Sequence, residues 1–307
     1  MSDHITLPLN HFQQQLNQQD FPAGALYIVA TPIGNMADIT FRAHHILENV
    51  DGIACEDTRH TSILLRQLGI NKPLLALHEH NERAMAEKLV GYLQSGQRWA
   101  YVSDAGTPGI SDPGSRLVEV CTHNGVRSIP IPGASAVSAI ISASGKGMNT
   151  SEGKFQFLGF LPMKAKARDL TMLQIDIASM ATIIYEAPQR IATTLNALHS
   201  SISDKDREIV IGRELTKKFE TISRISIKEI PEWIATQTES RGEFVLLIEG
   251  VSKTVEVSEH GEFELAALSR VLSKHIGSKQ IAEVISEITT MSKKDAYQLV
   301  LDTKKPE

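Results

Sequence analysis

The feature that most constrains the fold is a regular alternation of short apolar runs with helical stretches over residues 24–130. The apolar runs are LYIVA, DGIACED, PLLAL, WAYVSDAG and VRSIPIPG, and stretches with helical periodicity separate them, as in ERAMAEKLVGYLQSG. Gly69, Gly96 and Gly125 each follow the last periodic residue of such a stretch, where a left-handed residue commonly ends a helix. Strands and helices in alternation predict a parallel sheet with covered faces.

The pattern changes after residue 130, and it predicts a second α/β domain over residues 131–250. A helix of small residues, ASAVSAIISASG, precedes the apolar runs FQFLGFLP, TIIYEAP, EIVIGREL, FETISRISI and GEFVLLIEG. FETISRISI and GEFVLLIEG are close in the chain and could pair antiparallel. We therefore expect a mixed sheet in this domain, and an α/β fold class for the chain.

The two ends of the chain differ from these α/β segments. Residues 1–23 are polar and rich in glutamine, with neither a basic start nor an apolar core, so we expect a disordered tail rather than a signal peptide. Residues 251–262 form a polar linker. Residues 263–307 contain three short helical stretches, ELAALSRVLSKH, SKQIAEVISEIT and KKDAYQLVLD, whose spacing predicts a small helical segment of helix-turn-helix type.

Composition excludes several classes of protein. With 307 residues, 42% of them hydrophobic, the chain is too long for one compact core, and two or three domains are expected. Cys55 and Cys121 match no disulfide framework and no zinc spacing, which favours a reducing compartment and a cytoplasmic protein. No run approaches the ~18 apolar residues of a membrane span. The net charge of -5 argues against a wholly basic nucleic-acid-binding surface.

Three predicted strands of the first domain stop abruptly at proline and glycine. They are followed by TPIGN after Ala30, by SDAGTPG after Val102 and by PGAS after Ile131. Ligands of open parallel sheets bind outside the carboxyl ends of the strands, and glycine there lets the backbone approach a ligand closely. Asp104 comes almost directly after its strand. We predict a shared ligand pocket, although each ending alone could be a simple turn and Asp104 a helix cap.

The pocket lacks the usual signatures of phosphate binding. The dinucleotide fingerprint G-x-G-x-x-G is absent after the first strand, and the Walker loop G-x-x-x-x-G-K-[ST] is absent from the sequence. A ligand held by carboxylate and backbone groups therefore fits better than one held through phosphates.

A series of longer motifs carries a family resemblance. In chain order they are YIVATPIGNMADIT, ACEDTRHTSILL, ALHEHNE, VSDAGTPGISDPG, PGASA, GFLP, YEAPQR, RELTKKFET and GEFVLLIEG. Together they resemble the bacterial small-subunit ribosomal RNA 2′-O-methyltransferases that modify a cytidine, which belong to the tetrapyrrole methylase superfamily. The likeness covers residues 24–250, and the last helical piece is similar to that family's C-terminal segment. Ala30 stands where the family usually has proline, and PGASA replaces the commoner PGPSA.

The resemblance implies a cofactor and its binding residues. Members of this superfamily bind S-adenosylmethionine in the cleft between two α/β domains, and the superfamily implies a homodimer. Tyr185 and Phe244, from the second domain, would close the far side of the cleft. Carried over by motif, the cofactor-binding residues would be Ile33, Gly34, Asp104, Ala105, Gly106, Thr107, Ser135, Ala136, Tyr185 and Phe244.

The methylation of a ribose hydroxyl suggests a further set of residues. A ribose 2′-hydroxyl is a poor nucleophile, so a base within hydrogen-bond reach, or a cation, would help. The motif ACEDTRHT offers Glu56 and Asp57 at the end of an apolar strand, and we interpret one of them as the base or an orienting group. Arg59, Arg213 and Lys217 are candidates for gripping RNA phosphates. Each of these residues could instead belong to a surface ion pair.

The expected partner is small-subunit ribosomal RNA in an assembled subunit. The acidic chain is the main objection, but residues 265–307 carry seven Lys or Arg against five Asp or Glu. Two alternatives stay open: a tetrapyrrole methyltransferase, and a non-catalytic RNA-binding assembly factor with a vestigial pocket. No metal is expected, because His78-Glu79-His80 lacks the HExxH spacing and a strand would turn the glutamate away from both histidines.

Overall fold

The computed structural model describes residues 12, 14–16, 18–78, 81–110, 114–145, 153–236, 241–251, 265, 269, 272–273, 276–288 and 291–303. By its internal contacts the chain divides into two compact units, Met1–Val251 and Ser252–Glu307. The first unit contains two five-stranded sheets, which we call the first and the second lobe. The α/β fold class predicted from the sequence is confirmed.

The first lobe is a parallel sheet with strand order β3-β2-β4-β1-β5. The three strands at the centre of this order are almost entirely buried, as suits short apolar runs in a parallel sheet. The strands are β1 Ala25–Val29, β2 Gly52–Cys55, β3 Leu74–Ala76, β4 Trp99–Val102 and β5 Arg127–Ile131. The helices are α1 Phe41–Asn49, α2 Thr58–Gln67, α3 Glu82–Gln94 and α4 Ser115–His123.

Helices cover both faces of this sheet. Ile46 of α1 and Leu65 of α2 belong to the core on one face. Leu89 of α3 and Leu117 of α4 belong to the core on the other face. Because helices cover both faces of the sheet, a ligand can bind only at the loops that follow the strand ends.

The second lobe is a mixed sheet with strand order β6-β7-β10-β8-β9. Strands β6 and β7 are parallel, and the remaining neighbours are antiparallel. The strands are β6 Phe155–Phe160, β7 Ala181–Glu186, β8 Glu208–Arg213, β9 Thr221–Ser226 and β10 Phe244–Ile248. The helices are α5 Ala136–Ser144, α6 Ala165–Ile177, α7 Ile191–Ser201 and α8 Ile230–Thr236.

One predicted pairing in this sheet is wrong. FETISRISI was expected beside GEFVLLIEG, but β9 pairs with β8, and β10 lies between β7 and β8. The physical reason is burial: all of β10 is buried, as suits a central strand, whereas β9 is partly exposed, as suits an edge.

Helix α5 links the two lobes. It follows the first-lobe strand β5 almost directly in the chain, yet Val137 and Ile140 pack into the core beneath the second sheet, beside Val245 and Leu247 of β10. The loop between β5 and α5 is therefore held by one lobe at each end.

The amino-terminal residues include several aromatic contacts. Phe12 stacks on Phe41 with ring centroids 4.9 Å apart, and Phe21 lies edge-on to Tyr27 at 6.4 Å. Most of the tail predicted at 1–23 (1–11, 13 and 17) lies outside the described residues, as does the linker predicted at 251–262 apart from Val251.

The second unit contains helices α9 Ser278–Ile288 and α10 Lys293–Asp302. Ile281 and Ile285 of α9 pack with Ala296 and Val300 of α10 in a small core. The helix predicted over ELAALSRVLSKH falls mostly outside the described residues. In the described part of the chain, no helix is both long and apolar enough to cross a membrane.

Candidate functional site

Three loops of the first lobe are joined by hydrogen bonds. The Thr31 backbone N–H, just after β1, donates to the Gly106 carbonyl at 2.9 Å, and the Gly106 N–H donates back to Thr31 at 3.1 Å. The Thr107 hydroxyl donates to the Ala134 carbonyl at 3.0 Å, which links the loop after β4 to the loop after β5. The three strand ends singled out in the sequence therefore form one connected surface.

Two glycines allow this close approach. Gly106 has φ of +81°, and a Cβ there would lie 3.2 Å from Ile33 Cγ2. A Cβ at Gly133 would lie 2.9 Å from the Ala30 side chain. A larger residue at either position would push the loops apart, which is the physical reason for glycine in DAG and PGAS.

The joined loops line a cavity of about 350 Å³ whose opposite wall comes from the second lobe. Of the ten residues predicted to bind a cofactor, all except Gly34 are in its wall. The lining residues are Ile33, Asp104, Ala105, Gly106, Thr107, Ile110, Ser135, Ala136, Phe160, Tyr185, Glu186, Ala187, Pro188, Leu215, Glu243, Phe244 and Val245.

Aromatic side chains form the second-lobe wall. Tyr185, near the end of β7, is in edge contact with Phe157 at 4.9 Å and with Phe160 at 5.8 Å. Phe244, at the start of β10, pairs with Glu186 in the sheet and is 5% exposed. The aromatic part of the wall is therefore held by ring contacts and sheet pairing.

One of the two acidic residues of this wall, Glu186, is fully bonded. Glu186 Oε2 accepts from the Thr194 hydroxyl at 2.5 Å, and Oε1 accepts from the Ala187 N–H at 2.8 Å. Arg190 Nε lies 3.3 Å from the same Oε1. Glu186 belongs to the motif YEAPQR, but no role was predicted for it from the sequence. Its position at the end of a strand was the available signal.

Gly34 contacts the second lobe instead of the cavity. A Cβ at Gly34 would lie 2.4 Å from Lys217 Cγ, so the lysine side chain covers this glycine. Lys217 Nζ pairs with Glu214 Oε1 at 2.9 Å and with Glu243 Oε2 at 3.0 Å. Burial disfavours the charged lysine, but these two carboxylates outweigh it and raise the pKa of Lys217. Lys217, predicted to grip RNA, already has two anionic partners.

The loop that carries Lys217 has an unusual backbone. Glu214 has φ of +51° and Thr216 has φ of +69°, which is costly for a residue branched at Cβ. Leu215, between them, lines the cavity, and the Thr216 hydroxyl is buried without a hydrogen-bond partner among the described residues. Such conformations persist where the surroundings hold them, and they cluster at functional sites.

Asp104 is held by the start of helix α2. Its Oδ1 accepts from the Asp57 backbone N–H at 3.2 Å, and His60 Nδ1 lies 3.2 Å from Oδ2. The parallel register pairs Cys55 with Val102, so the residues that follow each strand are neighbours. No role was predicted for His60 from the sequence, although His60 belongs to the motif EDTRHT.

The two predicted catalytic carboxyls are in different environments, and neither lines the cavity. Asp57 caps α2 through the Arg59 N–H at 2.8 Å and binds the Arg59 guanidinium at 2.6 Å. These hydrogen bonds hold the pKa of Asp57 well below its usual range. Burial raises the pKa of Glu56, and the charges of Asp104 and Asp57 raise it further.

The remaining predicted RNA contacts also lie outside the cavity wall. The Arg59 side chain is 86% exposed although it is bonded to Asp57. Arg213 Nε donates to the Arg241 carbonyl at 2.7 Å.

The motif His78-Glu79-His80 is only partly described. His78 follows β3, and its backbone N–H donates to Asn81 Oδ1 at 2.9 Å. Glu79 and His80 lie outside the described residues, among which no group of three His, Cys, Asp or Glu is placed to hold a metal ion.

The fold and the cavity define a class: a two-lobed α/β protein with a small-molecule-sized site at the carboxyl ends of a parallel sheet. A family profile described as tetrapyrrole (corrin/porphyrin) methylases matches residues 25–231. The structure is similar to that of the methyltransferase CobJ, with a TM-score of 0.55 and 18% identity, over 75% of this chain and 95% of that chain.

Close relatives narrow the class further. The ribosomal RNA small subunit methyltransferase I of Vibrio cholerae is 44% identical over 284 residues, 92% of this chain and 96% of its own. The protein of the same name from Pasteurella multocida is 43% identical over 280 residues, 91% of this chain and 97% of its own. The chain belongs to the tetrapyrrole methylase family, in the branch of the small-subunit ribosomal RNA methyltransferases I.

Proposed function

We propose that this methyltransferase uses S-adenosylmethionine to methylate the ribose 2′-hydroxyl of a cytidine in small-subunit ribosomal RNA. The observation that carries the proposal is the hydrogen-bonded set of three strand-end loops, which lines one cavity opposite Tyr185 and Phe244. The names of the relatives supply the class of substrate.

The cavity suits the proposed cofactor in size and in chemistry. Its volume of about 350 Å³ falls within the range of about 300–1,000 Å³ found for small-molecule sites. Asp104 offers a carboxylate to a hydroxyl or cationic group, and the backbone of residues 105–107 is accessible beside it. Ile33 and Phe244 provide apolar surface. Ser135, Ala136 and Tyr185 complete the set of residues that would hold the cofactor.

The protein's contribution is mainly one of position. S-adenosylmethionine supplies a methyl group on a sulfonium, which carries its own leaving group. The three loops and the second-lobe wall would hold the donor beside the acceptor hydroxyl, and such positioning can supply about 7–11 kcal/mol of a barrier. Apolar residues such as Leu215 and Val245 exclude water from the same space.

Glu56 is the better of the two candidates for the base or orienting group. A general base works best when its pKa is near the operating pH, and the pKa of Glu56 is raised whereas that of Asp57 is lowered. The Asp57 carboxylate is also occupied by Arg59. Glu56 also directly precedes Asp57, whose backbone N–H donates to the cavity residue Asp104 at 3.2 Å. We therefore propose Glu56 as the base or orienting group, whereas Asp57 caps α2.

RNA binding is proposed for basic groups around the site and for the helical unit. The guanidinium of Arg59 has donors left over after bonding Asp57, and it is largely exposed. Arg213 and Lys217 lie on the opposite lobe, beside Glu243 at the cavity. The helical unit adds a net positive charge from residues 265–307. An assembled subunit as substrate, a homodimer and a cytoplasmic location complete the proposal.

A tetrapyrrole methyltransferase is the second candidate, because the family profile takes its name from those substrates. The two are separated by substrate: a tetrapyrrole enzyme would methylate a porphyrinoid alone and would leave ribosomal RNA unmodified.

Mass spectrometry of ribosomal RNA tests the proposal. RNA from cells lacking this protein should miss one ribose methyl on a cytidine of the small subunit. Expression of the wild-type chain should restore it, and expression of the Asp104→Ala variant should not. An unchanged set of modifications in the deletion strain would refute the proposed substrate.

A further inference from the structure

Phe160 is an exposed aromatic residue at the rim of the cavity. It is the last residue of strand β6, it lines the cavity, and 53% of it is exposed. A large apolar side chain exposed beside a site has not been covered by folding, and so it is available to a ligand.

An irregularity in β6 aims Phe160 at the cavity. In the pairing with β7, Phe157 is opposite Ile183 and Phe160 is opposite Tyr185, so three steps on β6 match two on β7. Gly159, within this bulge, has φ of +65°. In a regular strand, residues three apart point to opposite faces. The bulge instead places Phe160 on the face of Phe157 and Tyr185, and bulges commonly redirect side chains next to active sites.

An aromatic contact with Tyr185 holds the Phe160 ring. Its centroid lies 5.8 Å from that of Tyr185 at an interplanar angle of 66°, and Tyr185 is in turn in edge contact with Phe157. The ring is thus steadied by Tyr185, while about half of the residue remains exposed.

Positive charge follows Phe160 closely in the chain. Lys164 and Lys166, at the start of α6, are exposed, and neither is ion-paired with a carboxylate in the described part of the chain. Sites for single-stranded nucleic acid combine basic groups that follow the backbone with aromatic rings on which bases stack. Two exposed cations that follow Phe160 in the chain suit the phosphates of an RNA strand.

We propose that Phe160 stacks the base of the nucleotide that is methylated. The inference rests on the proposed function and adds a positioning residue to it. A ribose can reach into a cavity between two lobes only if its nucleotide leaves the stack of its neighbours, and unstacked RNA bases are received by aromatic side chains. Phe160 replaces part of the lost stacking and sets the ribose at the cavity entrance.

The test uses three variants of the full chain and small ribosomal subunits purified from cells lacking the protein. Phe160→Ala should reduce kcat/KM for methyl transfer to subunits by about 5- to 150-fold, which is the effect expected from the loss of one base–aromatic stacking contact. Phe160→Tyr keeps a flat ring and should retain most activity. Phe155→Ala is the matched control, because Phe155 is an exposed aromatic residue at the other end of the same strand and is not in the cavity wall.

Calorimetric titration with S-adenosylmethionine separates base stacking from cofactor binding. Phe155→Ala should bind the cofactor like the wild type, and Phe160→Ala should lose much less cofactor affinity than kcat/KM. If Phe160→Ala loses cofactor affinity as strongly as it loses activity, Phe160 belongs to the cofactor site and the inference is overturned. Activity of Phe160→Ala equal to that of Phe155→Ala also overturns it. A wild-type enzyme that fails to methylate these subunits would instead refute the proposed function.

Discussion

The Lys217 side chain lies across Gly34, so close that a Cβ on the glycine would be 2.4 Å from Lys217 Cγ. This contact joins the loop after β1 in the first lobe to the loop after β8 in the second. Lys217 in turn pairs with Glu243, which lines the cavity. The contact between Gly34 and Lys217 therefore sets how closely the two walls of the site approach each other at this point.

Replacement of Gly34 should open the site. In Gly34→Ala the new Cβ would collide with three atoms of the Lys217 side chain, and overpacking of this kind costs about 1–3 kcal/mol. The backbone at φ of +150° adds strain for any residue with a Cβ. We expect a lower melting temperature and weaker binding of S-adenosylmethionine, measured by thermal unfolding and calorimetry.

A second substitution and a control isolate the collision. The double variant Gly34→Ala/Lys217→Ala removes the obstructing carbons and should recover cofactor affinity relative to Gly34→Ala, as a double-mutant cycle would show. Gly69→Ala, at φ of +73° with no atom within 4 Å of the new Cβ, measures backbone strain alone. Equal loss of cofactor affinity in Gly69→Ala and Gly34→Ala would contradict the proposed contact.

Asp104 should matter for ligand binding more than for folding. Its carboxylate is 35% exposed at the cavity and accepts bonds from Asp57 and His60 that water can replace. Asp104→Ala should therefore weaken binding of S-adenosylmethionine by about tenfold or more, the scale of a charge-assisted hydrogen bond, with little change in melting temperature. Glu87→Ala removes an exposed carboxylate of α3 and should bind normally. Wild-type affinity in Asp104→Ala would exclude this residue from the site.

The raised pKa of Glu56 makes stability depend on pH. The folded state holds the proton of the Glu56 carboxyl more tightly than the unfolded chain does. The contribution of Glu56 to the free energy of unfolding is therefore fully present below the unfolded pKa of about 4.3, and it is lost as pH rises through the folded pKa. Glu56→Gln removes that loss. Its melting temperature should match the wild type near pH 4 and exceed it at pH 8. A difference that stays constant over this range would contradict the assigned pKa shift.

The helical unit should be needed for RNA and dispensable for the cofactor. All cavity-lining residues belong to the unit Met1–Val251. A chain ending at Val251 should bind S-adenosylmethionine normally but methylate small subunits poorly. In the full chain, Lys279→Ala/Lys294→Ala should raise KM for subunits and reduce its salt dependence, since fewer phosphates are contacted. Undiminished methylation by the shortened chain would show that the helical unit is not needed for RNA binding.

The cavity could be foreseen because a parallel sheet brings its strand ends together. Once β1, β4 and β5 were identified as parallel strands, TPIG, DAG and PGAS had to lie at one edge. Gly106 and Gly133 then marked where the loops touch, since each would collide with a first-lobe neighbour if it had a Cβ. The fold class followed from the same alternation of elements.

Contacts set by tertiary register could not be foreseen. The position of β10 between β7 and β8 depends on burial of both its faces, which a short apolar run does not reveal. The bulge at Gly159 changes which face Phe160 occupies without altering the pattern of the sequence. Likewise, Gly34 and Lys217 are distant in the chain, and no local preference joins them.

Calorimetric titration of the full-length protein with S-adenosylmethionine tests the central claim most directly, namely that three strand-end loops and the second-lobe wall form one cofactor site. We predict binding at one site per chain, with a negative heat-capacity change because the ligand is buried against apolar walls. The absence of binding by folded wild-type protein would contradict the account.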